Sequence, residues 1–290
     1  MNPVQTVAEA IRAATELLGA RTDSARFDAE VLMAHALGVS RSDLFLRRMS
    51  DPAPPGFAAL VTRRAAGEPV AHITGLGHFW GLELEVTPAV LIPRGDSETL
   101  IEAARTALSQ RPPGRILDLG TGSACLVLAA LSEWPEAEAI GVDRSDEALA
   151  VASRNAARYP GSSGPARLLQ RDWTGAGWAD ELGRFDLILA NPPYVEDAAE
   201  LDASVRHHEP AGALFAGPEG LDDYRVLIPQ LPDLLTENGI ALVEIGHTQA
   251  KAVGAIATAA GFAWTLHRDL AERSRALELK FSLGKAGPSA

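Results

Sequence analysis

From about residue 96 onward, short apolar runs alternate with stretches of helical period. The runs are Arg115–Leu119, Ala139–Asp143, Ala166–Arg171, Phe185–Leu189 and Gly239–Gly246. Strands this apolar need cover on both faces, and parallel neighbours need a crossover of about a dozen residues or more, usually a helix. The alternation therefore predicts an α/β fold with a mostly parallel sheet. Its helices are expected around Leu100, Ile101 and Leu108, from Ser123 through Leu131, from about Ser145 to Arg158, and over about 248 to 260. Two more strands fit 263 to 268 and 275 to 281, and a long loop over about 195 to 220 is placed to cover a site. Ligands of such sheets bind at the carboxyl ends of the strands.

The first 75 residues read differently. Helical periodicity runs over 4 to 19 with Val7, Ile11, Leu17 and Leu18 as core positions. A second helix starts after Asp23 or Ser24 and closes at Gly38, a third covers Arg41 to Met49, and Pro54-Pro55 open a fourth. Between these parts, His78 to Val86 alternates like a strand, with Gly81 marking a turn or bulge, and Val90 to Arg94 reads as its partner. Aromatics there, Phe79 and Trp80, are positioned to line a cleft. The predicted organisation is a helical domain over 1–75, a β-hairpin linker over 76–95, a main domain over 96–283 and a disordered tail over 284–290.

Charge narrows the function. The formal net charge is −12, so non-specific nucleic-acid binding, which needs cations to neutralise phosphates, is not expected. The single cysteine, Cys125, rules out an internal disulfide and fits a reducing cytoplasm. No signal peptide and no run of transmembrane length is visible, so no membrane association is expected. The seven histidines show no metal-ligand spacing, and no metal is expected.

The fourth strand ends at Ala190-Asn191-Pro192-Pro193-Tyr194. Pro192 and Pro193 stop the strand, and proline forces the residue before it into extended backbone, so Asn191 is held stiffly at the strand's end. The Asn191 amide, the Pro192 carbonyl and the Tyr194 ring form a polar hook for a planar group carrying an NH2. The first strand ends at Gly120-Thr121-Gly122, with Ser123 opening a helix. Two glycines at a strand-to-helix turn permit close backbone approach to an anionic ligand. Asp143 ends the next strand roughly 20 residues on, where an acid holds ribose hydroxyls. Asp172-Trp173, ending the third, fits adenine by hydrogen bonding and stacking. A nicotinamide dinucleotide and S-adenosylmethionine both suit this set; Cys125, in place of the third fingerprint glycine, disfavours the former.

The combination resembles the class I S-adenosylmethionine methyltransferases, in which Asn-Pro-Pro-Tyr marks transfer to an exocyclic or amide nitrogen. The segment Glu68-Pro69-Val70-Ala71-His72-Ile73-Thr74-Gly75, then Phe79-Trp80-Gly81 and Leu91-Ile92-Pro93-Arg94, is similar to the linker of the HemK/PrmC release-factor glutamine methyltransferases. So are Glu209-Pro210, Gly220-Leu221 with Tyr224-Arg225, and Glu244-Ile245-Gly246. The resemblance covers nearly the whole chain. It implies a Rossmann-like, mostly parallel seven-stranded sheet, S-adenosyl-L-methionine as cofactor with S-adenosyl-L-homocysteine as product, and a monomer.

Carried over, the resemblance gives Gly120, Thr121 and Gly122, with Ser123 and Ala124, to the methionine end of the cofactor. Asp143 then binds ribose, Asp172 and Trp173 flank adenine, and Asn191, Pro192, Pro193 and Tyr194 bind the substrate glutamine, Asn191 also facing the cofactor and Asn191, Pro192 and Tyr194 acting in catalysis. The partner it implies is a peptide chain release factor, whose Gly-Gly-Gln loop enters a cleft between the domains, with the helical domain as the recognition element. Ala124 stands where the family has a glycine, adding a methyl near the cofactor. Gly95 stands for a proline, which loosens the interdomain hinge. The rivals are a glutamine methyltransferase of a ribosomal protein, an adenine-N6 DNA methyltransferase, which needs a basic face this chain lacks, and a non-catalytic nucleotide-binding module.

Overall fold

A computed structural model describes residues 5–161 and 164–282, and the expected tail over 284–290 lies outside the described residues. The chain divides into two units, Met1–Leu76 with Leu201–His208, and Gly77–Glu200 with Glu209–Ala290.

The first unit is helical. It holds α1 (Val7–Leu18), α2 (Ala25–Leu37), α3 (Arg41–Asp43), α4 (Phe57–Ala65) and α5 (Val70–Thr74). Helix α1 starts at a capping box: Glu9 N–H donates to the Thr6 hydroxyl, and the Glu9 carboxylate accepts from Thr6 N–H at 2.8 Å. Its buried residues, Val7, Ala10, Ile11, Ala14 and Leu18, recur at helical spacing and make one stripe. Gly38 ends α2 in the left-handed region at φ 65°, a conformation glycine adopts without a Cβ penalty. The single helix expected over 41–49 is instead α3 followed by a π-helical turn over Leu44–Arg48. Two buried carboxylates of α2 find arginines, Asp28 from Arg64 at 2.7 Å and Glu30 from Arg41 at 2.7 Å, as buried charge requires.

The second unit opens with a two-stranded hairpin, β1 (Leu76–Phe79) and β2 (Leu82–Glu85). This corrects the reading of 78–86 as one strand paired with 90–94. Trp80 and Gly81 both have positive φ, 51° and 75°, the geometry of a two-residue turn whose twist matches the strands it joins. The chain therefore reverses inside the apparent strand, and Val90–Arg94 is irregular. Trp80 does not line a cleft either. Its backbone N–H donates to Glu98 at 2.7 Å and its indole N–H to Glu133 at 2.8 Å. Phe79 is buried in the core.

A 3-10 turn over Gly95–Ser97 leads into α6 (Glu98–Ala107). Then follow β3 (Arg115–Leu119), α7 (Cys125–Glu133), β4 (Glu138–Asp143), α8 (Asp146–Arg158), β5 (Arg167–Gln170) and β6 (Phe185–Ala190). The stretch expected as a long loop contains α9 (Ala203–His208), which groups with the helical unit. After it come α10 (Asp222–Leu227), α11 (Leu231–Leu234), β7 (Leu235–Glu244), α12 (Ala250–Ala259), β8 (Phe262–Arg268) and β9 (Ser274–Phe281). Helices α10 and α11 have no counterpart in the sequence reading.

The strands form one seven-stranded sheet in the order β5-β4-β3-β6-β7-β9-β8. Only β9 runs against its neighbours β7 and β8; the other pairs are parallel. This is the expected class I methyltransferase type of sheet. Apolar clusters cover it on both faces: one includes Leu126, Val127 and Leu131 of α7, the other Tyr224 of α10 and Val253 of α12. Strand order runs outward from β3 in two directions, to β4 on one side and β6 on the other. Loops leaving β3 and β6 therefore part, opening a crevice at their carboxyl ends. Leu119 pairs with Ala190, so the residues that follow, Gly120 and Asn191, leave the sheet side by side.

Candidate active site

The crevice holds a cavity at the carboxyl ends of the strands, where ligands of such sheets bind. Of the residues expected at the site, Gly120, Thr121, Gly122, Ser123, Asp143, Asp172, Trp173, Asn191 and Pro193 line it. Ala124, Pro192 and Tyr194 do not.

The glycine loop is shaped from below. Thr121 Oγ1 donates to Asp118 Oδ2 at 2.6 Å, and Gly120 and Thr121 N–H both donate to Val142 O at 2.9 Å. Gly120 has φ 74°, and a Cβ there would lie 3.2 Å from the Trp173 ring. Both conditions call for glycine. Asp118 is fully buried, and burial pushes its carboxyl up to about 7 against the Thr121 hydrogen bond. The Val127 backbone N–H in the first turn of α7 also pulls it back, and Asp118 is not among the residues that line the cavity. Sequence reading passed over Asp118, although an acid in the middle of an apolar strand is itself a signal.

Asp143 uses both oxygens to order the site: Oδ2 accepts from Gly122 N–H at 2.9 Å and Oδ1 from Ser145 N–H at 3.0 Å. Asp172 accepts from the Thr174 N–H and hydroxyl, which hold its carboxyl below the usual range. The Trp173 indole N–H donates to Asp223 Oδ1 at 3.1 Å, so α10 fixes this ring. Burial raises the Asp223 carboxyl, and the indole hydrogen bond opposes that.

The expected methyl of Ala124 near the cofactor is not there. Ala124 precedes α7 at φ 67°, and its side chain is fully buried in the core. Ala124→Gly removes a left-handed strain of about 1–2 kcal/mol. It loses about 0.8 kcal/mol of methyl burial and about 0.5–1 kcal/mol to glycine's chain entropy. Stability within about 1 kcal/mol of the parent is expected in thermal denaturation, with cofactor affinity unchanged by calorimetry.

At the end of β6, Asn191 Nδ2 donates to Ser97 Oγ at 3.3 Å. That orientation leaves Asn191 Oδ1 for an incoming N–H. Pro192 is buried, and the Tyr194 hydroxyl donates to Glu244 Oε1 at 3.2 Å, away from the cavity. Burial pushes the Tyr194 phenol above its ordinary range, and the Glu244 charge adds to this. The far wall of the cavity includes Pro210, Gly212 and Ala213. Glu209 holds this segment: it accepts Arg94 on one oxygen and Ile92 N–H at 3.1 Å on the other. Among the described residues, no group of acids, histidines or cysteines is arranged to hold a metal.

The glycine cradle and the two acids at successive strand ends, all lining one cavity, together fit S-adenosylmethionine. Comparison with known proteins agrees. Residues 9–75 match the PrmC N-terminal domain and residues 96–211 the methyltransferase small domain. The chain is 39% identical over 262 residues to a release factor glutamine methyltransferase of Caulobacter vibrioides, covering 88% of this chain and 89% of that one. It is 40% identical over 272 residues to one of Burkholderia pseudomallei, covering 91% and 94%. It is also 41% identical over 263 residues to one of Cereibacter sphaeroides, covering 88% and 91%.

Proposed function

The chain belongs to the release factor glutamine methyltransferase family, and from that premise we propose how its site works. It transfers a methyl group from S-adenosylmethionine to the side-chain amide nitrogen of the glutamine in the Gly-Gly-Gln loop of peptide chain release factors, and so modulates translation termination. The observation that carries this reading is the Asn191 amide, turned by Ser97 so that Oδ1 is free, in the same cavity as the glycine loop and Asp143.

Residues Gly120 to Ser123, over Asp118, would hold the methionine end of the cofactor, Asp143 its ribose, and Asp172 and Trp173 its adenine. When bound, the cofactor supplies a sulfonium-activated methyl. An amide nitrogen is a weak nucleophile because its lone pair is delocalised into the carbonyl. Asn191 Oδ1 accepts one of its N–H groups and holds the nitrogen in line for attack. As positive charge develops on that nitrogen, the same acceptor stabilises it, and the nitrogen loses a proton once the methyl is transferred. Asn191 is fixed by strand β6 and by Pro192, which is buried and keeps it extended, so little reorganisation is needed during the reaction. Tyr194 supports the hook from behind through Glu244. Action as a monomer is part of the same proposal. The substrate and the free thiol both fit a reducing cytoplasm.

The test is transfer of labelled methyl from S-adenosylmethionine to purified release factor, with DNA and ribosomal protein as parallel acceptors. Label on the wild-type factor, and none after Gln→Ala in its Gly-Gly-Gln loop, is the expected result. Label on either alternative acceptor alone overturns the substrate assignment.

A further inference from the structure

Behind Asn191 lies a polar chain that the hook alone does not explain. Ser97 is 2% exposed and accepts from Asn191 Nδ2. Its own proton then needs an acceptor that water does not readily supply. Glu244, at the end of β7, is 1% exposed. Its Oε1 takes the Tyr194 hydroxyl, and its Oε2 has no hydrogen-bond partner of good geometry among the described residues. Burial pushes the Glu244 carboxyl above its ordinary range, while hydrogen bonding from Ser97, the charge of Arg275 and the Tyr194 hydroxyl pull it back.

We propose that Glu244, acting through Ser97, is a positioning residue that decides which end of the Asn191 amide faces the cavity. In its ionised form Glu244 can only accept, and its unpartnered Oε2 would take the Ser97 proton. The Ser97 lone pair is then turned to Asn191, and only the NH2 end of that amide can donate to it. Oδ1 is left facing the substrate. With the amide rotated, two N–H groups would confront the substrate's own N–H, and the acceptor would be lost. The inference deepens the reading of Asn191 as the substrate-amide acceptor and rests on it.

Glu244→Gln tests it. Glutamine has nearly the same shape and keeps an oxygen for Tyr194, but it presents an NH2 to Ser97. Ser97 must then accept from residue 244 and donate towards Asn191, which favours the rotated amide. A fall in kcat of about 100-fold is expected, of the size seen when one preorganised polar group is removed. The KM for release factor and the Kd for S-adenosylmethionine are expected to stay within about threefold. Ser97→Ala cuts the link, lowering kcat about tenfold, and in that background Glu244→Gln adds less than about twofold. Ser97→Thr, which keeps the hydroxyl, restores kcat to within about threefold of the parent.

Additive losses from Ser97→Ala and Glu244→Gln overturn the proposal, as does a threonine variant no better than alanine. If Asn191→Ala abolishes transfer while Glu244→Gln leaves kcat intact, the positioning role alone is wrong. If Asn191→Ala leaves kcat unchanged, the reading of Asn191 fails and takes this inference with it. Thermal denaturation of each variant separates loss of fold from loss of orientation, and the serine variants carry the test should Glu244→Gln unfold.

Discussion

Asn191→Ala is expected to lower kcat for release-factor methylation by about 10²–10³-fold, with S-adenosylmethionine binding within about threefold of the parent. The size follows from what the side chain does. It is a fixed acceptor aimed at a nitrogen that becomes positive only as the methyl transfers, and losing one such preorganised group costs about 2.7–4 kcal/mol of transition-state stabilisation. Its Nδ2 is spent on Ser97, so little cofactor affinity depends on it. Single-turnover transfer measures the first quantity and calorimetry the second. Equal losses in both would place Asn191 in cofactor binding rather than in the transfer step.

Asp143→Ala is expected to give the mirror image. The Kd for S-adenosylmethionine rises about 100-fold, while kcat at saturating cofactor falls by less than about threefold. The carboxylate holds Gly122 N–H at 2.9 Å and Ser145 N–H at 3.0 Å, so its removal frees the glycine loop as well as removing an acceptor for ribose. A hydrogen bond to a charged group contributes about 1.5–3 kcal/mol. Two such bonds, one to the loop and one to the ligand, are more than enough for a 100-fold loss at about 1.4 kcal/mol per tenfold. The Asn191 hook is untouched, so chemistry on bound substrate continues. A large drop in kcat with unchanged affinity would remove Asp143 from the cofactor's ribose. The two variants thus separate binding of the methyl donor from activation of the acceptor.

Much of the main domain was legible because sheet strands buried on both faces are apolar throughout. The runs ending at Leu119, Asp143 and Leu189 lie within one residue of where β3, β4 and β6 end. The hairpin was misplaced for a related reason. Gly81 signals a turn or bulge, but the alternation of His78 to Val86 continues through Trp80-Gly81 and does not show that two positive-φ residues reverse the chain there. Helices α10 and α11 were missed because they are short and interrupted by Pro229 and Pro232, so no helical period develops between Asp222 and Leu234.

The site divides along the same line. The glycine turn, the acids at strand ends and the Asn191 hook are each made by a few consecutive residues, and local sterics alone constrain them. Glycine permits φ 74° at residue 120, and Pro192 holds Asn191 extended. Their partners are remote. Ser97 reaches Asn191 across 94 positions, Glu244 reaches Tyr194 across 50, and Asp223 reaches Trp173 across 50. Nor does the sequence around Ala124 show that its methyl turns into the core and away from the cavity. The sequence by itself determined the α/β alternation, the glycine loop and the rigid hook, because each depends on short-range backbone sterics and hydrophobic period. Only the tertiary structure decided which buried polar groups meet and which way the Asn191 amide points, because strand order and register bring those distant atoms within hydrogen-bonding distance.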